Sequence, residues 1–136
     1  MELRDYQPGD ALPALTKPPV TKTQLVMYSG ASGDFNPIHT VEEFAHSVGL
    51  GGVIAHGMLT MAFVGQLLTD WIGEVGELGQ FKVRFTGMVR PGDTVTCSGV
   101  VQDKIEEQGR TRLTVVVRAV TQQGTEAMAG SAVVWL

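Results

Sequence analysis

From Gly57 to about Ile72 the apolar side chains recur on more than one helical face: Met58, Leu59, Met61, Ala62, Phe63, Val64, Leu67, Leu68, Trp71 and Ile72. A helix backed by solvent carries one apolar stripe, so this pattern predicts a long helix enclosed by other structure. After Gly79 the period shortens to that of strands. In FKVRFTGMV (81–89), Phe81, Val83 and Phe85 alternate with Lys82, Arg84 and Thr86, and TVTCSGVVQ (94–102) alternates in the same way. TRLTVVVRAV (111–120) and AMAGSAVVWL (127–136) follow, with turn signals at Arg90-Pro91-Gly92-Asp93 and Gln108-Gly109. Strands joined by short turns predict an antiparallel meander. The last one is too apolar for an open edge and is expected centrally or in an interface.

The chain before the long helix is more broken. Met1 to Pro19 carries Pro8-Gly9-Asp10, Pro13 and Pro18-Pro19, which suits a turn and a short edge strand but no helix. Thr21 is a good cap for a helix over Lys22 to Tyr28, with Gly30 and Gly33 expected to end it. A second short helix is predicted from about Val41 to Val48, with Glu42 and Glu43 in the first turn, where the helix dipole favours them. Gly49, Gly51 and Gly52 close it. A curved antiparallel sheet around a central helix, an α+β architecture, accommodates every element. The 136 residues amount to a single domain over 1–136.

Composition narrows the function classes. A formal charge of −4 with ten scattered Lys and Arg residues gives no footprint for nucleic acid and no basic face for a membrane surface. No apolar run is long enough for a membrane span. MELRDYQPGD is charged and has no apolar core, so no signal peptide is expected and a cytoplasmic protein is predicted. Cys97, the one cysteine, sits in a strand-like run and reads as a small buried hydrophobe. His39, His46 and His56 lack metal-ligand spacing, and none of the glycines forms a phosphate-loop motif, so no metal or cofactor is expected. Small domains of this kind often pair, and a homo-oligomer is the expectation.

Two stretches carry candidate chemistry. SGASGDFNPIH (29–39) places Asp34, Asn36 and His39 within six residues. Gly33 permits a sharp bend and Pro37 biases Asn36 away from helix, which makes the segment a rigid turn. Imidazole can take and give a proton near neutrality, and a carboxylate beside it could hold one water between them. From residue types alone, purely local roles are the first reading of these residues: Asp34 and Asn36 as turn formers and His39 as a helix cap. His56-Gly57 opens the long helix, where a glycine lets a ligand approach unpaired N–H groups able to receive charge developing on a carbonyl oxygen. The alternative is a loop-to-helix glycine with His56 packed beside it. Ser29, Ser32 and Ser47 lie near the histidines, but no G-x-S-x-G elbow supports a serine nucleophile. Lys82 and Arg84 share a strand face and suit a structural role or acidic ligand groups.

Tyr28-Ser29-Gly30, Ser32-Gly33-Asp34-Phe35-Asn36-Pro37-Ile38-His39 and the return Ala55-His56-Gly57-Met58-Leu59 resemble the signature of the MaoC-like hydratases. These comprise the (R)-specific enoyl-CoA hydratases and the (3R)-hydroxyacyl-carrier-protein dehydratases. The long helix, the F-x-V-R-F strand and the R-P-G-D turn extend the resemblance over most of the chain. The chain is also similar to small bacterial dehydratase subunits of fatty-acid or mycolate elongation, which pair with a partner chain. The resemblance implies a hot-dog fold and a dimer whose sheets join side by side, with an acyl-thioester tunnel near the interface. It implies reversible addition of water to a trans-2-enoyl thioester of CoA or acyl-carrier protein, without a cofactor because no electrons are transferred. Asp34 and His39 match the catalytic pair that holds the water, and Asn36 matches a residue that orders the loop. Gly57 matches the residue whose backbone N–H meets the thioester carbonyl, with His56 in support. A serine found on the central helix of some members is replaced here by Gly65. Rival expectations are an acyl-CoA thioesterase on the same fold, a non-enzymatic acyl-binding partner, and one subunit of a heterodimer that is inactive alone.

Overall fold

The computed structural model describes residues 1–136. A 3-10 turn at Leu3–Asp5 and a chain reversal at Pro8-Gly9 precede β1 (Leu15–Thr16). Then come α1 (Lys22–Ser32), a second 3-10 turn (Pro37–His39), α2 (Glu42–Ser47) and α3 (Gly57–Ile72). The second half is β2 (Glu77–Phe85), β3 (Val95–Glu107), β4 (Arg110–Thr121) and β5 (Glu126–Trp135). The strands form one antiparallel sheet in the order β1-β3-β4-β5-β2. α3 packs against β2, β3, β4 and β5, so the sheet wraps the long helix in a hot-dog arrangement. Its buried side chains Leu59, Phe63, Val64, Leu67, Leu68 and Ile72 meet Val115, Val117, Met128, Ala132 and Val134 in a single core. No helix is long and apolar enough to cross a membrane.

α3 has the predicted bounds, and β5 is central, between β4 and β2. α1 runs past Gly30 to Ser32. Gly30 adopts no positive φ and meets nothing, whereas Gly33, at φ 74°, takes the left-handed conformation that stops the helix. The start of α1 is a capping box: Thr21 Oγ1 accepts from the Gln24 amide at 3.0 Å and Gln24 Oε1 accepts from the Thr21 amide at 3.4 Å. β2 begins and ends earlier than the alternation in 81–89 predicted. Its register shifts between Leu78 and Gln80, where the Trp135 ring occupies the space a side chain at Gly79 would need. Past Phe85 the chain crosses so close to the Glu126 carbonyl that only Gly87 fits, and it leaves the sheet there. The β3–β4 hairpin turns on Gln108 and Gly109, both at positive φ (54° and 78°), as a tight two-residue hairpin requires.

Gly130 of β5 pairs with Val83 of β2, and a β-carbon there would collide with the Lys82 carbonyl and approach Val83 Cα to 2.8 Å. Backbone cannot swing aside as a side-chain tip can. Gly130→Ala therefore lowers the melting temperature by roughly 5 °C or more, the scale of an overpacked core. Thermal melts followed by circular dichroism check this; an unchanged midpoint would mean that β2 and β5 are not held that closely.

Cys97 lies fully buried on β3 against the core, and burial pushes its thiol up to about 11. It packs as the hydrophobe the sequence predicts.

Candidate active site

The turn after α1 is built by its own short polar side chains. Ser32 Oγ accepts from the Asp34 amide at 3.2 Å, Asp34 Oδ1 from the Asn36 amide at 3.2 Å, and Asn36 Oδ1 from the Ile38 amide at 3.2 Å. Each side chain caps the amide two residues on, and Pro37 opens the 3-10 turn that ends in His39. The local reading of Asn36 thus holds physically, and its effect is to carry Asp34 and His39 to the same spot. His39 Nε2 stands 3.6 Å from Asp34 Oδ2, the imidazole buried and the carboxylate half exposed.

The return loop meets this turn. Arg90 donates from Nη2 to the Leu50 carbonyl (2.6 Å) and from Nη1 to the Gly52 carbonyl (3.3 Å), and Glu42 Oε2 accepts from the Val53 amide (3.1 Å). Ile54 N–H then donates to the Ile38 carbonyl, and Ala55 N–H to the Val89 carbonyl. So clamped, the loop presents the Ile54 carbonyl to His39, whose Nδ1–H donates to it at 2.7 Å. A carbonyl oxygen only accepts, so Nδ1 carries a proton, and Nε2, the lone-pair nitrogen whenever the ring is neutral, is the one that faces Asp34.

His56 follows on the same loop. Its ring stacks on His39 (centroids 3.8 Å apart, planes at 22°), meets Tyr28 edge-on at 4.8 Å, and shares a hydrogen bond from Nε2 to Ser29 Oγ at 3.0 Å. It is 1% exposed, and Nδ1 has no hydrogen-bond partner. Burial chiefly, and the neighbouring His39 next, lower its pKa; the Asp34 backbone and charge oppose this in part. Gly57 is the first residue of α3, next to His56, and no side chain caps that helix. Leu59 N–H turns back to the His56 carbonyl at 3.1 Å, while the Gly57 amide is one of the N-terminal amides with no partner inside the helix. The Phe85 ring lies 3.2 Å from where a Gly57 β-carbon would stand. Asp34, His39 and His56 offer ligand atoms within 4.8 Å of one another. The two rings are stacked, however, so their lone pairs run in nearly parallel planes and one ion cannot lie in both. The geometry does not suit a metal.

Asp34, Asn36, His39, His56 and Gly57 are thus brought together. Lys82 and Arg84 are not: they line a 470 Å³ cavity with Thr86, Glu126 and Ser131, away from the dyad. Three participants went unseen in the sequence: Ser29 as a partner of His56, the Ile54 carbonyl, and Phe85 over Gly57. Ser29 stands in the resembling stretch Tyr28-Ser29-Gly30 and reads as a nucleophile that lacks its motif, but nothing in the residue order ties it to His56.

Residues 5–124 match the model of the MaoC like domain. The chain belongs to the MaoC-like family. It is 31% identical over 108 residues to the (R)-specific enoyl-CoA hydratase of Rhodospirillum rubrum, covering 76% of this chain and 75% of that protein. Fatty acid synthase subunit beta of Aspergillus oryzae is 47% identical over 73 residues, which are 52% of this chain; the match spans 4% of that protein. Among solved structures, the (R)-hydratase from A. caviae involved in PHA biosynthesis superposes with a TM-score of 0.85 at 27% identity, covering 96% of this chain and 97% of that one. The hot-dog fold stands on that superposition as well as on the sheet and helix.

His56 and Glu42 each link the stability of this MaoC-like domain to pH. His56 in the folded chain has a pKa below its ordinary 6.5. The unfolded chain therefore takes up a proton that the folded one refuses. The contribution of His56 is complete above about 6.5 and falls as pH drops through that value toward the folded pKa. Glu42 is held below the usual carboxylate range, first by the Lys22 hydrogen bond and then by the Val53 amide. Its contribution is present above the ordinary carboxylate value and is lost as pH falls through its lowered one, in a separate and more acid window. Melting temperatures measured from pH 7.5 to 5.5 should fall in the wild type and fall less in His56→Phe. Parallel curves for the two would refute the His56 assignment.

Proposed function

We propose that this chain is an (R)-specific enoyl-thioester hydratase, or a (3R)-hydroxyacyl-thioester dehydratase in the reverse direction. The observation that carries the reading is Asp34 Oδ2 facing His39 Nε2 at 3.6 Å, with Nδ1 tied to the Ile54 carbonyl so that Nε2 is the acceptor of the neutral ring. Two acceptors so placed repel unless a donor lies between or beside them, and water offers one O–H to each. That is a holder for a nucleophilic water. The family and the likeness to the Rhodospirillum rubrum hydratase support the substrate class.

In hydration, water is polarised by Asp34 and loses a proton to His39 Nε2 as its oxygen bonds to the β-carbon. The π electrons move toward the thioester oxygen, which sits at the Gly57 N–H and the positive end of α3. His39, now imidazolium between Asp34 and the Ile54 carbonyl, returns a proton to the α-carbon. The sum is one water added and nothing oxidised. Asn36 holds the turn rigid through these steps.

A second subunit fits the same reading. Asp34, His39 and Gly57 line none of the five cavities of the single chain, so no acyl tunnel is closed over them. β2 is an edge strand of nine residues, all exposed but two, and a long open edge is what natural sheets pair or cover. A homodimer through β2, or a heterodimer with a related chain, would cover it. CoA and acyl-carrier protein present the same thioester arm to the dyad, and both stand as carriers.

The test is the purified chain with crotonyl-CoA. Loss of enoyl-thioester absorbance with an (R)-3-hydroxyacyl product is the expected result. Release of free CoA, read with a thiol reagent, would instead establish a thioesterase. A folded chain that does neither, and gains activity only with a related subunit, would make it one half of a heterodimer.

A further inference from the structure

The strongest feature outside the dyad is the buried cluster behind it. α1 buries only Leu25 and Ser29, with Tyr28 half-buried against the core, yet its C-terminal Gly33 delivers Asp34 directly. Of the two buried side chains Ser29 is the polar one, and it bonds to His56 Nε2 at 3.0 Å. The opposite side of the site hangs on the same ring, because His56 stacks on His39 at 3.8 Å. One imidazole thus touches both supports: the helix that brings the carboxylate and the ring that brings the base. It sits 1% exposed with one nitrogen unpartnered, a costly arrangement for mere filling, which an apolar side chain would do better.

We propose that His56, tied to Ser29, is a positioning residue that sets the separation and relative orientation of Asp34 and His39. This rests on the hydratase reading for its kinetic consequence, though not for its structural one. Hydrogen bonding of Nδ1 to Ile54 fixes one atom of the His39 ring but leaves it free to tilt about that bond; the face-to-face contact with His56 removes the tilt. Ser29 in turn stops His56 from rotating, and Tyr28 meets the same ring edge-on at 4.8 Å. A displacement of about an ångström between reacting groups costs on the order of 100-fold in rate, so a loosened ring is felt in turnover before it is felt in binding.

The experiment compares wild type, Ser29→Ala, His56→Phe and the double variant. His56→Phe keeps an aromatic ring but loses the tie, and Ser29→Ala removes the tie alone. Each single variant is expected to lower kcat for crotonyl-CoA hydration about tenfold or more with KM within about twofold. The double variant should be no slower than His56→Phe, because Ser29 acts only through His56. Losses that multiply, a Ser29→Ala enzyme with wild-type kcat, or a loss confined to KM would overturn the proposal. A second readout does not depend on activity. The His39 Nδ1–H proton, hydrogen-bonded to Ile54, should give a downfield NMR resonance in the wild type that broadens or shifts in Ser29→Ala. If it stays unchanged, the positioning role is refuted. A wild-type chain that hydrates crotonyl-CoA neither alone nor with a related subunit refutes the function proposed above and leaves this spectroscopic test to decide the role of His56.

Discussion

Asp34→Asn is expected to reduce turnover of crotonyl-CoA by about 10²–10⁴-fold, the range that one positioned acid–base group supplies. The substitution is nearly isosteric. The amide oxygen of the replacement can still accept from the Asn36 N–H, the bond that shapes the turn, so the fold should survive. What changes is the atom facing His39. Asp34 Oδ2 is an acceptor 3.6 Å from Nε2; an amide nitrogen in its place donates to Nε2 instead. The nucleophilic water then loses both its orienting acceptor and the free lone pair that would take its proton. Progress curves at enoyl-thioester absorbance check the number, with circular dichroism to show that the variant is folded. Turnover within a few-fold of wild type would remove Asp34 from the mechanism.

Gly57→Pro gives the second large effect. Gly57 is the first helical position of α3, where proline is accepted because the amide has no intrahelical partner. The preceding residue must be extended, and His56 already is, at φ −61° and ψ 135°. The substitution therefore deletes one N–H and leaves the helix. Loss of an oxyanion donor costs about 10²–10³ in kcat. The new ring atoms meet Phe85, whose ring stands 3.2 Å from the β-carbon position and is 47% exposed, free to move outward. Gly57→Ala meets Phe85 in the same way and keeps the N–H. The gap in kcat between the two variants measures the donor itself, and equal rates would mean that the Gly57 amide receives no charge.

Much of the fold was legible because its signals are local. The period of α3 needs only its own sixteen residues, and Gln108-Gly109 announces a hairpin by backbone conformation alone. One error is local and the other turns on a remote strand. Gly30 reads as a helix stop, but nothing asks it to leave the helix, and Gly33 three residues on does. β2 begins before the alternation does, since Glu77 and Leu78 pair with Trp135 and Val134 at the far end of the chain.

The site divides in the same way. Residue order alone dictates the rigid turn from Asp34 to His39, since Ser32, Asp34 and Asn36 each bond an amide two residues ahead and need nothing from outside. It also dictates that α3 opens on a glycine. Which nitrogen of His39 is free emerges only in the folded chain, because the partner of Nδ1 is a main-chain carbonyl, and a carbonyl has no signature in residue type. The same holds for His56 as the wall behind His39 and Ser29 as its tether, residues 27 positions apart that share one hydrogen bond. Turn chemistry acts over two or three residues and is written in side-chain type. Distance, tautomer and the facing of two acceptors are set by contacts between segments that meet only when the sheet closes on its helix.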